Sequence, residues 1–219
     1  MKIAIVKETE DLEKRVSATP ETVKKLISLG FSVNIEEDAG LNSFFSNDSY
    51  TDAGANIISD VNALISSADI VFKVHTVHKD GKGSDNIKYY KKGTKIIGFL
   101  KPLQNKEKIK DLANHNIDAF SVEFIPRISR AQSMDALSSQ SNLAGYKAVI
   151  DSVSELSKAI PMMMTAAGTI APAKILILGA GVAGLQAIAT ARRLGAIVSA
   201  FDVRVAAKEQ VESLGAKFI

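Results

Sequence analysis

The chain has no cysteine and no tryptophan, and only three histidines and five prolines among its 219 residues. Without cysteine there is no disulfide scaffold, no thiol nucleophile and no thiolate metal ligand, a composition that fits a reducing cytoplasm. His75 and His78 fall in a polar loop and His115 follows a helix. With no carboxylate cluster read beside them, they are expected to be solvated or capping side chains, and no metal site is expected. Charge of one sign is also scarce. Lys and Arg number 27 against 24 Asp and Glu, a net of +3, too small and dispersed to argue for nucleic acid or an anionic membrane. Long apolar runs are missing as well. The most membrane-like stretch, 159–191, is broken by Pro161, Gly168, Pro172 and Lys174, so a soluble chain with no direct membrane span is expected. Lys2–Val6 already reads as a strand, and no signal or transit pattern precedes it.

What is present is an α/β alternation. Hydrophobic residues make up 46% of the chain, enough for one large core or two modest ones. Strand Lys2–Val6 leads to a helix with Thr19 as N-cap, Pro20 in its first turn, an apolar face of Val23, Leu26 and Ile27, and Gly30 as its stop. Further strands are predicted at 31–36, 55–58, 69–74, 94–100 and 117–123, with helices near 61–67 and 105–114 and polar turns around 42–52. Strands separated by helices imply a parallel sheet. His75 through Tyr90 reads as a mobile polar loop. A connecting helix is predicted over 133–159, ended by Pro161, with Leu143, Tyr146, Val149, Ile150, Val153, Leu156 and Ile160 as its apolar stripe. The fold class is therefore α/β. Two Rossmann-like parallel-sheet domains are joined by a long helix, and the second is incomplete at its C-terminal end. The expected divisions are an N-terminal α/β domain (1–126), a polar loop and connecting helix (127–162), and the first half of a nucleotide-binding domain (163–219). A long helix between two such domains would set up a cleft for a ligand.

The most specific pattern lies in that last segment. An apolar strand, 175–178, runs into Gly179-Ala180-Gly181-Val182-Ala183-Gly184, an alanine-rich helix follows, and a second apolar strand ends on Asp202, 18 residues past Gly184. Gly-x-Gly-x-x-Gly between strand and helix, followed by a carboxylate at a second strand end, is the dinucleotide-binding fingerprint. Gly179 allows the tight turn, and Gly181 lets the backbone approach a pyrophosphate. Gly184 lets the helix pack close, and the free N–H groups of that helix face the phosphates. Asp202 would accept from the ribose hydroxyls and oppose a 2′-phosphate, which favours NAD(H) on this chain. Arg204 blurs that preference, since an arginine can hold a 2′-phosphate. From Gly179 only 41 residues remain. The half of the fold that would receive the nicotinamide is expected on a further stretch of chain or on another polypeptide. Residues 1–219 alone, with the strand at 174–178 bare on one edge, are expected to be poorly stable, to self-associate and to bind NADH weakly.

A second candidate region is Pro126-Arg127-Ile128-Ser129-Arg130-Ala131-Gln132-Ser133-Met134-Asp135-Ala136-Leu137-Ser138. Ser133 or Asp135 can be helix caps and the arginines a solvated turn. Equally, Arg, Gln and Asp on one polar loop can fix a carboxamide and a ribose. This run, with the Ser138–Tyr146 segment and Thr165-Ala-Ala-Gly168, resembles the NAD(H)-binding component of proton-translocating nicotinamide nucleotide transhydrogenases. The similarity extends over the whole chain and is densest across 126–219. The resemblance implies that Arg127, Gln132, Asp135 and Ser138 line the nicotinamide end of the site. It further implies NADP(H) on a partner component, a separate membrane-spanning component that couples hydride transfer to proton movement, a homodimer, and a location on the cytoplasmic face of the bacterial inner membrane. Hydride passing directly between two nicotinamides needs no general acid–base pair, which suits a site rich in gripping groups and without a catalytic dyad.

Two rivals remain. The opening Lys7-Glu8, Arg15-Val16 and Thr19-Pro20 is shared with alanine dehydrogenases, where an Arg and a Lys hold a keto acid, matched here by Arg15 and Lys73. The proton-transferring His of that family falls where this chain has Leu100-Lys101-Pro102, and a lysine at its usual pKa is a poor substitute. Arg15 and Lys73 are then expected as fold-supporting ion pairs. The other rival is a non-catalytic NAD-binding or assembly module.

Overall fold

Two compact units, Met1–Ala131 and Gln132–Ile219, make up the computed structural model, which describes residues 1–76 and 86–219. His78 and most of the polar loop expected between His75 and Tyr90 lie outside the described residues.

The first unit runs β1 (Lys2–Ile5), α1 (Pro20–Ser28), β2 (Ser32–Glu36), α2 (Asn47–Asp52), β3 (Asn56–Ile58), α3 (Val61–Ser67), β4 (Ile70–His75), β5 (Lys95–Phe99), α4 (Lys106–Asn114) and β6 (Asp118–Ser121). Every pairing is parallel, in the order β3-β2-β1-β4-β5-β6. Successive residues of β1 point to opposite faces. Ile3 and Ile5 join Val23, Val33, Ile35 and Tyr50 in one core, while Ala4 and Val6 join Leu64, Val71, Ile96 and Leu112 in the other. Helices on both faces explain why the strands read as near-continuous apolar runs. The helix starts follow capping chemistry: Thr19 accepts from the Thr22 N–H, and Asp60 accepts from the N–H groups of Asn62 and Ala63. Gly30 takes φ +88° just past α1, a conformation that side chains resist.

Three local expectations need correction. Helix α2 replaces the polar turns expected at 42–52. It is only one and a half turns long and buries only Tyr50, whose hydroxyl donates to the Ala18 carbonyl at 2.8 Å and whose phenol is pushed up to about 12 by burial. A helix so short and polar has no apolar period to read. The strand expected at 117–123 stops at Ser121, because residues 122–124 form a 3₁₀ turn that brings the Glu123 carboxylate to the N–H groups of Leu100 and Lys101. His75 is the last residue of β4 rather than part of a loop, and its ring meets the Glu13 carboxylate.

The second unit contains α5 (Ala136–Glu155), β7 (Met163–Thr165), β8 (Gly168–Ile170), β9 (Lys174–Leu178), α6 (Val182–Arg193), β10 (Ile197–Phe201), α7 (Lys208–Ser213) and β11 (Lys217–Phe218). Strands β11-β10-β9 form a parallel sheet in that order. Strand β9 is its end strand, with Leu176 and Leu178 exposed. Helix α5 is shorter at both ends than the 133–159 expected. Asp135 caps its start and Leu156 leaves helical geometry at its end, well before Pro161. Of the apolar stripe, Val149 and Ile160 are buried, whereas Leu143, Tyr146 and Leu156 are exposed. The true contact is made by Gly145: a Cβ there would lie 2.0 Å from the Ala183 carbonyl oxygen, so α5 and α6 touch backbone to backbone. A glycine contributes nothing to an apolar stripe, which is why periodicity missed it. Residues 163–170 form an antiparallel hairpin, not foreseen, and Met163, Met164 and Ile170 on it are all exposed.

Candidate nucleotide-binding site

Strand β9 ends at Leu178 and the chain turns at once. Gly179 has φ +95° and its N–H donates to the Phe201 carbonyl at 2.8 Å. Gly181 is the N-cap of α6 and supplies no side-chain cap, so the first N–H groups of a twelve-residue helix lack a capping partner from it. A Cβ on Gly181 would meet nothing within 4 Å, whereas one on Gly184 would lie 1.8 Å from the Gly179 oxygen. The two glycines therefore do different work. Gly184 seats the helix against the strand end, and Gly181 keeps the ground in front of the helix terminus clear. Ala180 is buried and Val182 exposed. An uncapped helix terminus behind a clear backbone surface is what an anionic phosphate group needs.

Asp202 follows β10 and closes the turn from the other side. Its Oδ2 accepts from the Ala180 N–H at 2.7 Å and from Arg204 Nη2 at 3.0 Å; its Oδ1 accepts from the Arg204 N–H at 2.8 Å and Nε at 2.9 Å. The side chain of Asp202 is only 6% exposed, that of Arg204 62%. Hydrogen bonds from the Arg204 side chain, then from the backbone of Arg204 and Ala180, hold the carboxyl far below the usual carboxylate range, and the same pairing raises the arginine. Glycine turn, Asp202 and Arg204 are thus one bonded assembly. The spacing of the fingerprint located each member, and what it left unsaid is that Arg204 sits on Asp202 itself.

The polar loop is arranged differently. Arg127 belongs to the first unit and is exposed; Gln132 is exposed within the 3₁₀ turn Ser129–Met134. Asp135 is the N-cap of α5: its carboxylate accepts from the Ser138 N–H at 2.9 Å and the Ser138 hydroxyl at 2.7 Å. Capping alone accounts for both side chains locally. Thr165 and Gly168 flank the turn of the β7–β8 hairpin.

In the first unit, charged groups collect beyond the C-terminal ends of β1 and β4, where the sheet order changes direction. Glu13 accepts from Arg15 Nε at 2.9 Å and Nη2 at 2.6 Å, and it lies 2.7 Å from His75 Nε2. The Arg15 bonds, working against burial and helped by His75, bring the Glu13 carboxyl down to about 2. The Arg15 guanidinium also stands 5.9 Å from the Phe99 ring centre. Glu8, itself buried, accepts from the Val74 N–H at 2.6 Å and the His75 N–H at 3.3 Å, and Lys73 is buried beside them in β4. Arg15 is thus engaged by a carboxylate of its own unit, as expected of a fold-supporting pair. His75 departs from the expectation of a solvated or capping side chain, because Glu13 is too far away in sequence to have been read as its neighbour. His115 does cap, with Nδ1 2.9 Å from the Asp111 carbonyl. Among the described residues no three His, Asp or Glu side chains are grouped to hold a metal ion, and no helix is long and apolar enough to cross a membrane.

Comparison with known proteins agrees with this geometry. Residues 4–144 match the alanine dehydrogenase/PNT N-terminal domain and residues 148–219 match the alanine dehydrogenase/PNT C-terminal domain. The chain is 54% identical over all 219 residues to an NAD(P) transhydrogenase subunit alpha polypeptide of Rhodospirillum rubrum, covering 57% of that protein. It superposes on the crystal structure of a transhydrogenase from Sinorhizobium meliloti with a TM-score of 0.94 and 52% identity, covering all of this chain and 64% of that one. Alanine dehydrogenase 1 of Staphylococcus aureus is 36% identical over 150 residues, which span 68% of this chain and 38% of that protein. The chain thus spans between about two fifths and three fifths of the length of the transhydrogenase subunits it matches, and it resembles them more than it does the dehydrogenase. A glycine turn closed by Asp202, a six-stranded parallel sheet before it and matches to both family domains lead to one conclusion: the chain belongs to the alanine dehydrogenase/PNT family.

Proposed function

We propose that this chain is the NAD(H)-binding part of a proton-translocating transhydrogenase. The observation that carries the reading is the assembly of Gly179, Ala180, Gly181, Val182 and Gly184 with Asp202. A cleared, uncapped helix terminus fits a pyrophosphate, and a carboxylate with two oxygens fits a ribose diol. The bound dinucleotide would supply the hydride. The chain's own residues would hold its phosphates at the turn and its adenosine ribose at Asp202. Arg127, Gln132, Asp135 and Ser138 would orient its nicotinamide end and help keep water out. The likeness to transhydrogenase subunits supports placing NADP(H) on a partner component, with a further membrane component for the proton path, at the cytoplasmic face of a bacterial inner membrane. The exposed methionines of the β7–β8 hairpin support assembly as a homodimer, since exposed apolar side chains call for a cover.

Titration of nicotinamide fluorescence in the intact protein tests the cofactor assignment. NADH is expected to bind on the order of a hundredfold more tightly than NADPH, because a 2′-phosphate would meet the Asp202 carboxylate. Asp202→Asn should narrow that gap. Equal affinity for the two cofactors in the unaltered protein would contradict the assignment.

A further inference from the structure

The Asp202 carboxylate carries four hydrogen bonds, and they divide into two kinds. Two come from main-chain N–H groups, Ala180 and Arg204, which the fold holds in place. The other two come from the Arg204 guanidinium, Nε on Oδ1 and Nη2 on Oδ2. The same Nη2 lies 3.4 Å from the Ala180 carbonyl, so the guanidinium bridges the carboxylate and the glycine turn. A ribose 2′,3′-diol would donate one hydroxyl to each carboxylate oxygen, and those are the two acceptor positions that the arginine fork now fills.

On the reading that this turn binds a dinucleotide, we propose that Arg204 moderates both its affinity for the cofactor and its selectivity. Its guanidinium stands in for the ribose diol on Asp202 and is displaced when the nucleotide enters. Asp202 stays in place on its two main-chain bonds while the exposed arginine side chain swings outward. Displacement costs affinity, since an exchange of acceptors must precede or accompany binding. It also has a second consequence. A displaced guanidinium remains beside the ribose as a charge near Asp202 that attracts a 2′-phosphate, so Arg204 weakens binding of NAD(H) while softening the rejection of NADP(H). The residue works against the selectivity that Asp202 creates.

The test compares NADH and NADPH affinities of the intact protein, unaltered and as Arg204→Ala and Arg204→Lys, each checked for an unchanged thermal transition. For Arg204→Ala, NADH binding is expected to tighten by about 1.5-fold to fivefold, the range of an exposed ion pair. NADPH binding is expected to weaken by about tenfold as the carboxylate loses its neutralising partner. Arg204→Lys, which keeps the charge and loses the fork, should bind NADH more tightly than the unaltered protein and hold NADPH better than Arg204→Ala. Loss of NADH affinity in Arg204→Ala would show the arginine gripping the cofactor and overturn the proposal. Equal shifts for both cofactors, or none, would overturn it as well. Failure of the unaltered protein to bind either cofactor would instead remove the nucleotide-binding reading on which the proposal rests.

Discussion

Gly184→Ala is expected to weaken NADH binding on the order of a hundredfold and to lower the stability of the second unit. The added methyl carbon would sit 1.8 Å from the Gly179 carbonyl oxygen and 2.8 Å from its carbon. Both are backbone atoms of a turn pinned by the Gly179 to Phe201 hydrogen bond, so no side chain can rotate out of the way. Helix α6 must withdraw from the end of β9, and overpacking of this kind costs about 1–3 kcal/mol. Withdrawal also misplaces the helix terminus, and a shift of an ångström in the phosphate-facing N–H groups should weaken NADH on the order of a hundredfold. Gly181→Ala is the partner variant. Its methyl would enter open space, so thermal stability should be retained while binding falls. Thermal melting and fluorescence titration of the two variants separate packing from recognition. Full binding and an unchanged transition in Gly184→Ala would refute the assigned roles.

The second large effect is expected in the polar loop, and there it should appear in rate rather than affinity. Arg127→Ala and Gln132→Asn are expected to slow hydride transfer from NADH to NADP⁺ by roughly tenfold to a hundredfold. NADH affinity should change by no more than about threefold, since orientation is lost and adhesion is not. Transfer between two nicotinamides depends on ring placement alone, with no proton to deliver, so small losses of alignment are felt directly. The assay supplies the NADP-binding component separately and follows single turnovers, which distinguishes the transfer step from product release. Unchanged turnover in both variants would remove these residues from the site. Asp135 makes a poorer probe, because it caps α5 through Ser138 and its removal would disturb the helix start as well.

Much of the fold was legible because its signals are local. Thr19-Pro20 announces a helix start by capping chemistry, and the strands buried on both faces read as short apolar runs bounded by polar turns. The fingerprint at 175–202 was legible for the same reason: each glycine and Asp202 is fixed by the geometry of one strand–turn–helix–strand unit. What escaped notice depends on distant partners or on small residues. His75 meets Glu13 across 62 positions of chain. Gly145 brings α5 against the backbone of α6 yet has no side chain to read, whereas Leu143 and Tyr146, which satisfy the helical period, are exposed. Helix α2 is too short and polar for a period, and the hairpin at 163–170 interrupts what composition alone presents as one uncharged stretch. At the site, spacing identified Arg204 as a neighbour of Asp202, but only side-chain geometry shows its guanidinium occupying both carboxylate oxygens.

The most direct test of the whole account is a pair of activity measurements on the intact protein. Combined with an NADP-binding component, it is expected to transfer hydride from NADH to NADP⁺ or an analogue. With alanine and NAD⁺ it is expected to form no NADH, because Leu100-Lys101-Pro102 offers no histidine for the proton transfers of oxidative deamination. Transfer without deamination is the predicted result. Robust NADH formation from alanine, with no transfer to NADP⁺, would contradict it.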